Sequence, residues 1–293
     1  MSTSIGKIVV ATDFSMYSHR AALRAGALAK EHGAGLQLLH ILDRASVKAL
    51  QRFSQADSSG DAALVAEARQ RLEALAGDVV AAGGASGECI VEIGEVNDAV
   101  LAMAANSDLL VLGARGMNPA KDLLLGATAE RIARRVQRPL LVSKQDSRIT
   151  YDSVIVPVDF SDHSLQALRF ARVLAPGAVL HVYNVYDPPF AGRLSSAGVS
   201  EEAIANYRHS TRLEVEAEMR EFLARAADVK DVNVLIELGD ARTAIAAKAK
   251  ELGCNLIVMG KQGRSWWSEF LLGSLARRTI ELAPCDVAIV PSH

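Results

Sequence analysis

KIVVATDFS at residues 7–15 and SVIVPVDFS at residues 153–161 are one phrase written twice. Each is a short apolar run, rich in β-branched residues, that closes in Asp-Phe-Ser. Asp13 and Asp159 stand 146 positions apart. Outward from this phrase the correspondence continues in order. LLHILD (38–43) pairs with VYNVYD (182–187), SDLLVLGARG (107–116) with CNLIVMGKQG (254–263), and RPLLVSK (138–144) with CDVAIVP (285–291). The glycine pairs Gly113/Gly260, Gly116/Gly263 and Gly126/Gly273 all share an offset of 147. Landmarks in one order at nearly one offset mark an internal duplication. The chain therefore divides into copy one, residues 1–147, and copy two, residues 150–293, with a linker near 145–152.

Within a copy, apolar runs of strand length alternate with Ala- and Leu-rich helical stretches. KIVVAT is continuously apolar, as a parallel strand covered on both faces requires. SHRAALRAGALAKEHG follows as a helix closed by Gly33. LQLLHIL, ECIVEIG, DLLVLG and PLLVSK supply further strands. Helices are predicted around 62–80, at NDAVLAMAAN and at LGATAERIARRV. This alternation predicts right-handed βαβ crossovers and an α/β fold: two doubly wound, five-stranded parallel sheets of order 3-2-1-4-5. Ligands of such sheets sit at the C-terminal strand ends, at the switch point. Asp13 and Asp159 end the first strands there, and the glycine loops leave the fourth. Two segments read as longer connections, either a lid or ligand cavity over this edge or a mobile surface connection: DRASVKALQRFSQADSSGDAALV in copy one, and the Pro-Pro-led 187–223 in copy two, which turns helical.

The chain has 293 residues, 50% of them hydrophobic and 23% charged, enough for two sizeable cores. A net charge of −2 gives no electrostatic reason to expect nucleic acid as a partner. No apolar run approaches the roughly 20 residues of a bilayer span. MSTSIGKIVVATDFS lacks a secretory-signal pattern, and the three cysteines, Cys89, Cys254 and Cys285, form no C-x-x-C pair. The expectation is a cytoplasmic protein without membrane insertion.

GKQGRSWWSEFLLGS (260–274) carries the chemistry. Gly260-x-x-Gly263 leaves a strand, nine residues follow, and Gly273-Ser274 opens a helix. Glycines admit positive φ and bring bare backbone N–H groups close to a ligand. A helix N-terminus adds unpaired donors and partial positive charge. Ser274 can cap the helix or donate to a phosphate oxygen. Together these form an anion site, most naturally for a nucleotide's phosphates.

The pattern G-x-x-G-x9-G-[ST], following a strand-ending Asp in a copy of this size, resembles the universal stress protein family. The V-D-F-S phrase, the G-D-x-x-x-x-I stretch at 239–245 and the terminal strand add to the likeness, which spans the whole chain twice. The resemblance implies ATP, alone or with Mg2+. In copy two it implies Pro157, Val158 and Asp159 toward adenine, and Gly260, Gly263, Arg264, Gly273, Ser274 and Leu275 toward ribose and phosphates. Copy one offers Asp13, Gly113, Gly116 and Gly126, but Ala127 stands where the hydroxyl belongs, so it is the weaker site. The resemblance also implies that the copies pair through their last strands as an intrachain pseudo-dimer, and that two chains form a homodimer.

Plainer readings stand beside these. Glycines at strand-to-helix turns serve packing, and Asp13 and Asp159 satisfy backbone donors at a strand end. Trp266 and Trp267 suit packing or an interface better than base stacking. His19 and His163 follow the Asp-Phe-Ser turns with no second ligand at a metal-like spacing. No G-x-S-x-G, H-E-x-x-H or Walker lysine is present, which limits catalysis to at most slow ATP hydrolysis or autophosphorylation. The expected role is a stress-response protein acting through its bound state. The alternative is an interaction protein whose cavities are empty or hold a lipid-like or other small molecule.

Overall fold

The computed structural model describes residues 4–54, 59–116, 126–145, 150–188, 199–263 and 272–291. Copy one runs β1 (Lys7–Ala11), α1 (Met16–His32), β2 (Gly35–Asp43), α2 (Arg44–Ser54), α3 (Ser59–Ala81), β3 (Gly87–Gly94), α4 (Val96–Ala104), β4 (Leu109–Gly113), α5 (Ala127–Arg135) and β5 (Leu140–Ser143). Copy two runs β6 (Ser153–Pro157), α6 (Asp162–Leu174), β7 (Val179–Tyr186), α7 (Glu201–Arg225), β8 (Val232–Leu238), α8 (Ala241–Glu251), β9 (Leu256–Gly260), α9 (Ser274–Leu282) and β10 (Asp286–Val290). One expectation is corrected here. The copy-one segment read as a long loop after β2 is helical over 44–54, because Val47 buries its side chain and Asp43 accepts from the Ser46 backbone and hydroxyl.

The strands form one ten-stranded sheet of order β3-β2-β1-β4-β5-β10-β9-β6-β7-β8. Every pairing is parallel except β5 with β10, which is antiparallel. Each copy therefore keeps the order 3-2-1-4-5, and the two meet through their last strands. Leu141 pairs with Ala288, its own counterpart at an offset of 147, so that pair marks the pseudo-two-fold axis.

Both faces of the sheet are covered, which explains why the strands read as unbroken apolar runs. Ile8 and Val10 point into one core layer, and Val9 into the other; Val154, Val156 and Ile155 repeat this in copy two. Gly33 adopts φ 62 as the left-handed cap that ends α1.

The joint between the copies is not symmetric in chemistry. Arg24 of α1 and Asp286 of β10, 2% and 0% exposed, pair at 3.2 Å. Tyr151 donates its hydroxyl to Asp286 at 2.6 Å, and the backbone N–H groups of Lys144 and Gln145 donate to the other carboxylate oxygen at 2.6 and 2.9 Å. The Arg24 guanidinium also lies over the Tyr151 ring, 4.6 Å from its centroid. Burial and the neighbouring Asp286 hold the Tyr151 hydroxyl well above its ordinary pKa. Across the pseudo-axis the counterparts are Phe170 and Pro139, so this cluster exists on one side only.

Candidate functional site

The turn after the first strand is built the same way in both copies. Phe14 and Phe160 sit at φ 63 and 65, in the left-handed region that costs a bulky residue on the order of 1–3 kcal/mol. Packing offsets that cost. Phe160 is buried edge-on against Phe222, with ring centroids 5.9 Å apart, and Phe14 lies between His40 and Arg71. Reversing the chain at Phe lets the preceding Asp reach forward. Asp13 accepts from Ser15 N–H at 3.0 Å, while Asp159 accepts from Ser161 N–H at 3.2 Å and from its hydroxyl at 2.5 Å. Ser15 and Ser161 then cap α1 and α6. The carboxylates thus do serve local backbone donors, as the plainer reading holds.

Their second oxygens face the glycine loops. A Cβ built on Gly263 falls 2.8 Å from Asp159 Oδ2, and one on Gly116 falls 2.8 Å from Asp13 Oδ2. A Cβ on Gly260 meets His163 Cβ at 3.1 Å; one on Gly113 meets the Tyr17 backbone at 2.8 Å. Close approach of backbone thus requires Gly113 and crowds Gly260, while at Gly116 and Gly263 it is the Asp carboxylate that would have to give way. None of the six has a positive φ, so the conformational reason given from sequence is wrong, and the left-handed turn residues at the site are the two phenylalanines.

In copy two a cavity of about 310 Å³ opens over the C-terminal ends of β6, β7 and β9. Its wall includes Pro157, Val158 and Asp159 from the end of β6, and Gly260 and Gly263 from the loop after β9. Gly273, Ser274 and Leu275, from the start of α9, close it. Eight of the nine residues singled out in copy two are thereby brought together; Arg264, like Trp266 and Trp267, lies outside the described residues. The segment 187–223 is described only in part: it is helical from Glu201, and residues 189–198 of it lie outside as well.

Sequence reasoning missed several walls. Tyr183, Asn184 and Val185 come from β7, whose register sets Tyr183 beside Pro157. Met259, Lys261 and Gln262 flank the first glycine, and Ser164 comes from α6. Ala241 and Ile245 come from the first turns of α8; Ile245 is the last position of the G-D-x-x-x-x-I stretch, so that signal was in view. The strand order itself, with β7 next to β6, could have named the β7 residues.

Gly273 occupies the cap position of α9 with no side-chain cap bond, and Ser274 is the first helical residue. Ser274 is therefore not the cap that the sequence suggested. Its side chain is exposed at the cavity rim. Gly273 N–H donates to Lys261 O at 3.0 Å, and the helical ladder starts with Arg277 N–H on Gly273 O. The amides of Ser274, Leu275 and Ala276 precede that ladder and point out of the helix N-terminus. No acidic residue lies in this first turn, and Arg277 does. At the matching place in α5 stands Glu130. Neither charge stands alone: Arg277 pairs with Glu281 at 3.1 Å and Glu130 with Arg134 at 2.7 Å, each within its own helix.

Two side chains hold the strand-one end. Asn184 donates to Val158 O at 2.9 Å; in copy one, His40 Nδ1–H donates to Thr12 O at 2.8 Å. Burial lowers the His40 pKa, so the neutral Nδ1–H form is favoured. Tyr183, 1% exposed, donates to Glu237 at 2.6 Å, and Glu237 pairs with Lys248 of α8 at 3.2 Å. This holds α8, and with it Ala241 and Ile245, against the sheet.

Among the described residues no helix is long and apolar enough to cross a membrane. The sequence model of the universal stress protein family matches the chain twice, at residues 4–144 and 150–291. A universal stress protein of Staphylococcus aureus strain USA300 is 29% identical over 156 residues, which is 48% of this chain and 85% of that protein. A universal stress protein of Archaeoglobus fulgidus superposes with a TM-score of 0.68 at 23% identity, covering 97% of this chain and 98% of its own. A further structure of a universal stress protein, from Pseudomonas aeruginosa UCBPP-PA14, gives a TM-score of 0.59 at 19% identity, covering 98% of this chain and 94% of its own. With the glycine loops, the Asp-Phe-Ser turns and the paired last strands in place, the chain belongs to the universal stress protein family, as two copies in tandem.

Proposed function

We propose that copy two binds an adenine nucleotide, ATP, and that the protein acts in the stress response through this bound state. The single observation that carries the reading is the cavity itself: it gathers the strand-end Asp159, both loop glycines and the amide-bearing start of α9 around one space of about 310 Å³. That volume lies at the small end of the roughly 300–1,000 Å³ typical of ligand pockets. It suits a base and ribose inside with phosphates at the rim. The apolar walls Val158, Ile245 and Met259 suit the base, and the donors of Ser274 to Ala276 suit the phosphates. A carboxylate at Asp159 suits a ribose hydroxyl or base amine, as in other dinucleotide sheets. Mg2+ would accompany the phosphates as their counter-ion.

Polar groups converging on a small cavity favour this reading over a lipid-like ligand, which asks for a long apolar channel. Calorimetric titration of the full chain with ATP and Mg2+ tests it. Ser274→Ala removes one donor to a charged oxygen, worth about 1.5–3 kcal/mol, so affinity should fall roughly 10- to 100-fold. Binding that survives this change unaltered would move the phosphates away from α9.

A further inference from the structure

The two glycine loops are tied to each other by lysines. Lys261 follows the first glycine of the copy-two loop and is 2% exposed. Its N–H donates to Val290 O at 2.8 Å, and its carbonyl accepts from Gly273, the residue at the head of α9, at 3.0 Å. Its side chain crosses the joint between copies, where Nζ donates to Val136 O at 3.0 Å. Val136 is the C-terminal cap of α5, the helix whose start, Gly126, belongs to the copy-one loop. The reverse link is made by Lys144, whose Nζ donates to Ala283 O at 2.8 Å. Ala283 is the C-terminal cap of α9 and the counterpart of Val136. Each loop helix thus ends on a lysine from the other copy, where the helix dipole is negative. The two lysines are not counterparts: the residue matching Lys261 is Ala114, and that matching Lys144 is Pro291.

A buried ammonium with one carbonyl partner among the described residues is costly to keep, and burial presses the Lys261 pKa down to about 8. Packing needs no charge here, since copy one closes the same turn with alanine and with the same bond, Gly126 N–H to Ala114 O at 2.9 Å.

We propose that Lys261 is a positioning residue, fixing the head of α9 through its carbonyl and the tail of α5 through its ammonium, so that occupancy of the copy-two cavity is transmitted to the copy-one loop helix. The transmitted part rests on the nucleotide reading of copy two; the tether does not.

Hydrogen exchange of the full chain separates the two. Without ligand, Lys261→Met should raise exchange at least threefold in peptides covering 127–136 and 272–277, while Lys261→Gln, which keeps an N–H donor, should restore part of the protection. Unchanged exchange at 127–136 in both variants overturns the tether. In wild type, saturating ATP should slow exchange in both peptides; in Lys261→Met it should slow 272–277 alone, with affinity about tenfold weaker. Protection of 272–277 without 127–136 in wild type overturns the transmission. No protection anywhere in wild type refutes the nucleotide reading and with it the transmission, and the ligand-free comparison still decides the tether.

Discussion

The two loop helices make the most instructive comparison in the molecule. α5 and α9 start after the same glycine pattern, carry the same Gly cap and have the same length of nine residues. They differ in what stands at the entrance. Copy two places Ser274 at the first helical position and Arg277 one turn in; copy one places Ala127 and Glu130 there. Glu130 and Arg277 are counterparts, and they face each other near the pseudo-axis at 3.8 Å. The two entrances thus differ in one hydroxyl and in the sign of one charge, and each charge is held in an ion pair of its own helix, Arg277 with Glu281 at 3.1 Å and Glu130 with Arg134 at 2.7 Å. A duplicated domain keeps its backbone because both cores need it, while the few residues at a strand end are free to diverge.

The joint between copies is where the comparison should break most visibly. Asp286→Ala leaves Arg24 buried without its carboxylate and orphans the donors of Tyr151, Lys144 and Gln145. Breaking one partner of a buried pair costs about 3–5 kcal/mol, so the urea midpoint should drop sharply. Arg24→Met with Asp286→Leu should recover only the part due to the stranded guanidinium, since the donors of Tyr151, Lys144 and Gln145 stay orphaned. A single variant as stable as wild type would show that the cluster does not hold the copies together.

A smaller effect is expected at the paired glycines. Gly263→Ala forces a methyl against Asp159 Oδ2, which can swing aside at little cost in stability but then leaves its place in the cavity wall. Nucleotide affinity should fall about tenfold, on the order of 1.4 kcal/mol. Gly116→Ala crowds Asp13 equally and should leave affinity untouched. Equal losses from both would mean that both copies bind.

Ala127→Ser supplies the missing hydroxyl to copy one. With Glu130 still in the first turn, a second ATP site should emerge about tenfold weaker than the first, seen as a second calorimetric step. Ala127→Ser with Glu130→Arg should strengthen it further.

His40→Asn, the copy-two residue placed in copy one, should act least. The folded His40 pKa lies below its unfolded value near 6.5, because burial opposes the charge. Between those values the unfolded chain binds more protons, so stability rises with pH there and is lost as pH falls through 6.5. Asn should flatten that slope between pH 5 and 7, measured by urea unfolding at each pH, and an unchanged slope would contradict the assignment. His181, whose pKa is also lowered by burial, keeps its own contribution of the same sign.

The repeat and the strand order were legible because each rests on apolar runs ordered by βαβ connection rules; the pairing of last strands came from the family resemblance alone. The Asp-to-loop proximity followed from the strand order. What did not follow was local. Nothing in composition separates a glycine kept for positive φ from one kept because Asp159 or His163 presses on it. Residues 44–54 read as loop because the segment is polar and flanked by DSSG, yet helix formation there is fixed by the Asp43 cap and the burial of Val47. Lys261 falls in no sequence motif, the Walker spacing included. Its partner, Val136 O, lies 125 residues away and across the pseudo-axis, where no local pattern reaches.

Native mass spectrometry of the full chain titrated with ATP and Mg2+ tests the difference between the copies most directly. The adduct should saturate at one nucleotide per chain and be weakened by Ser274→Ala. Two nucleotides of similar affinity per chain, or none on a folded chain, would contradict it.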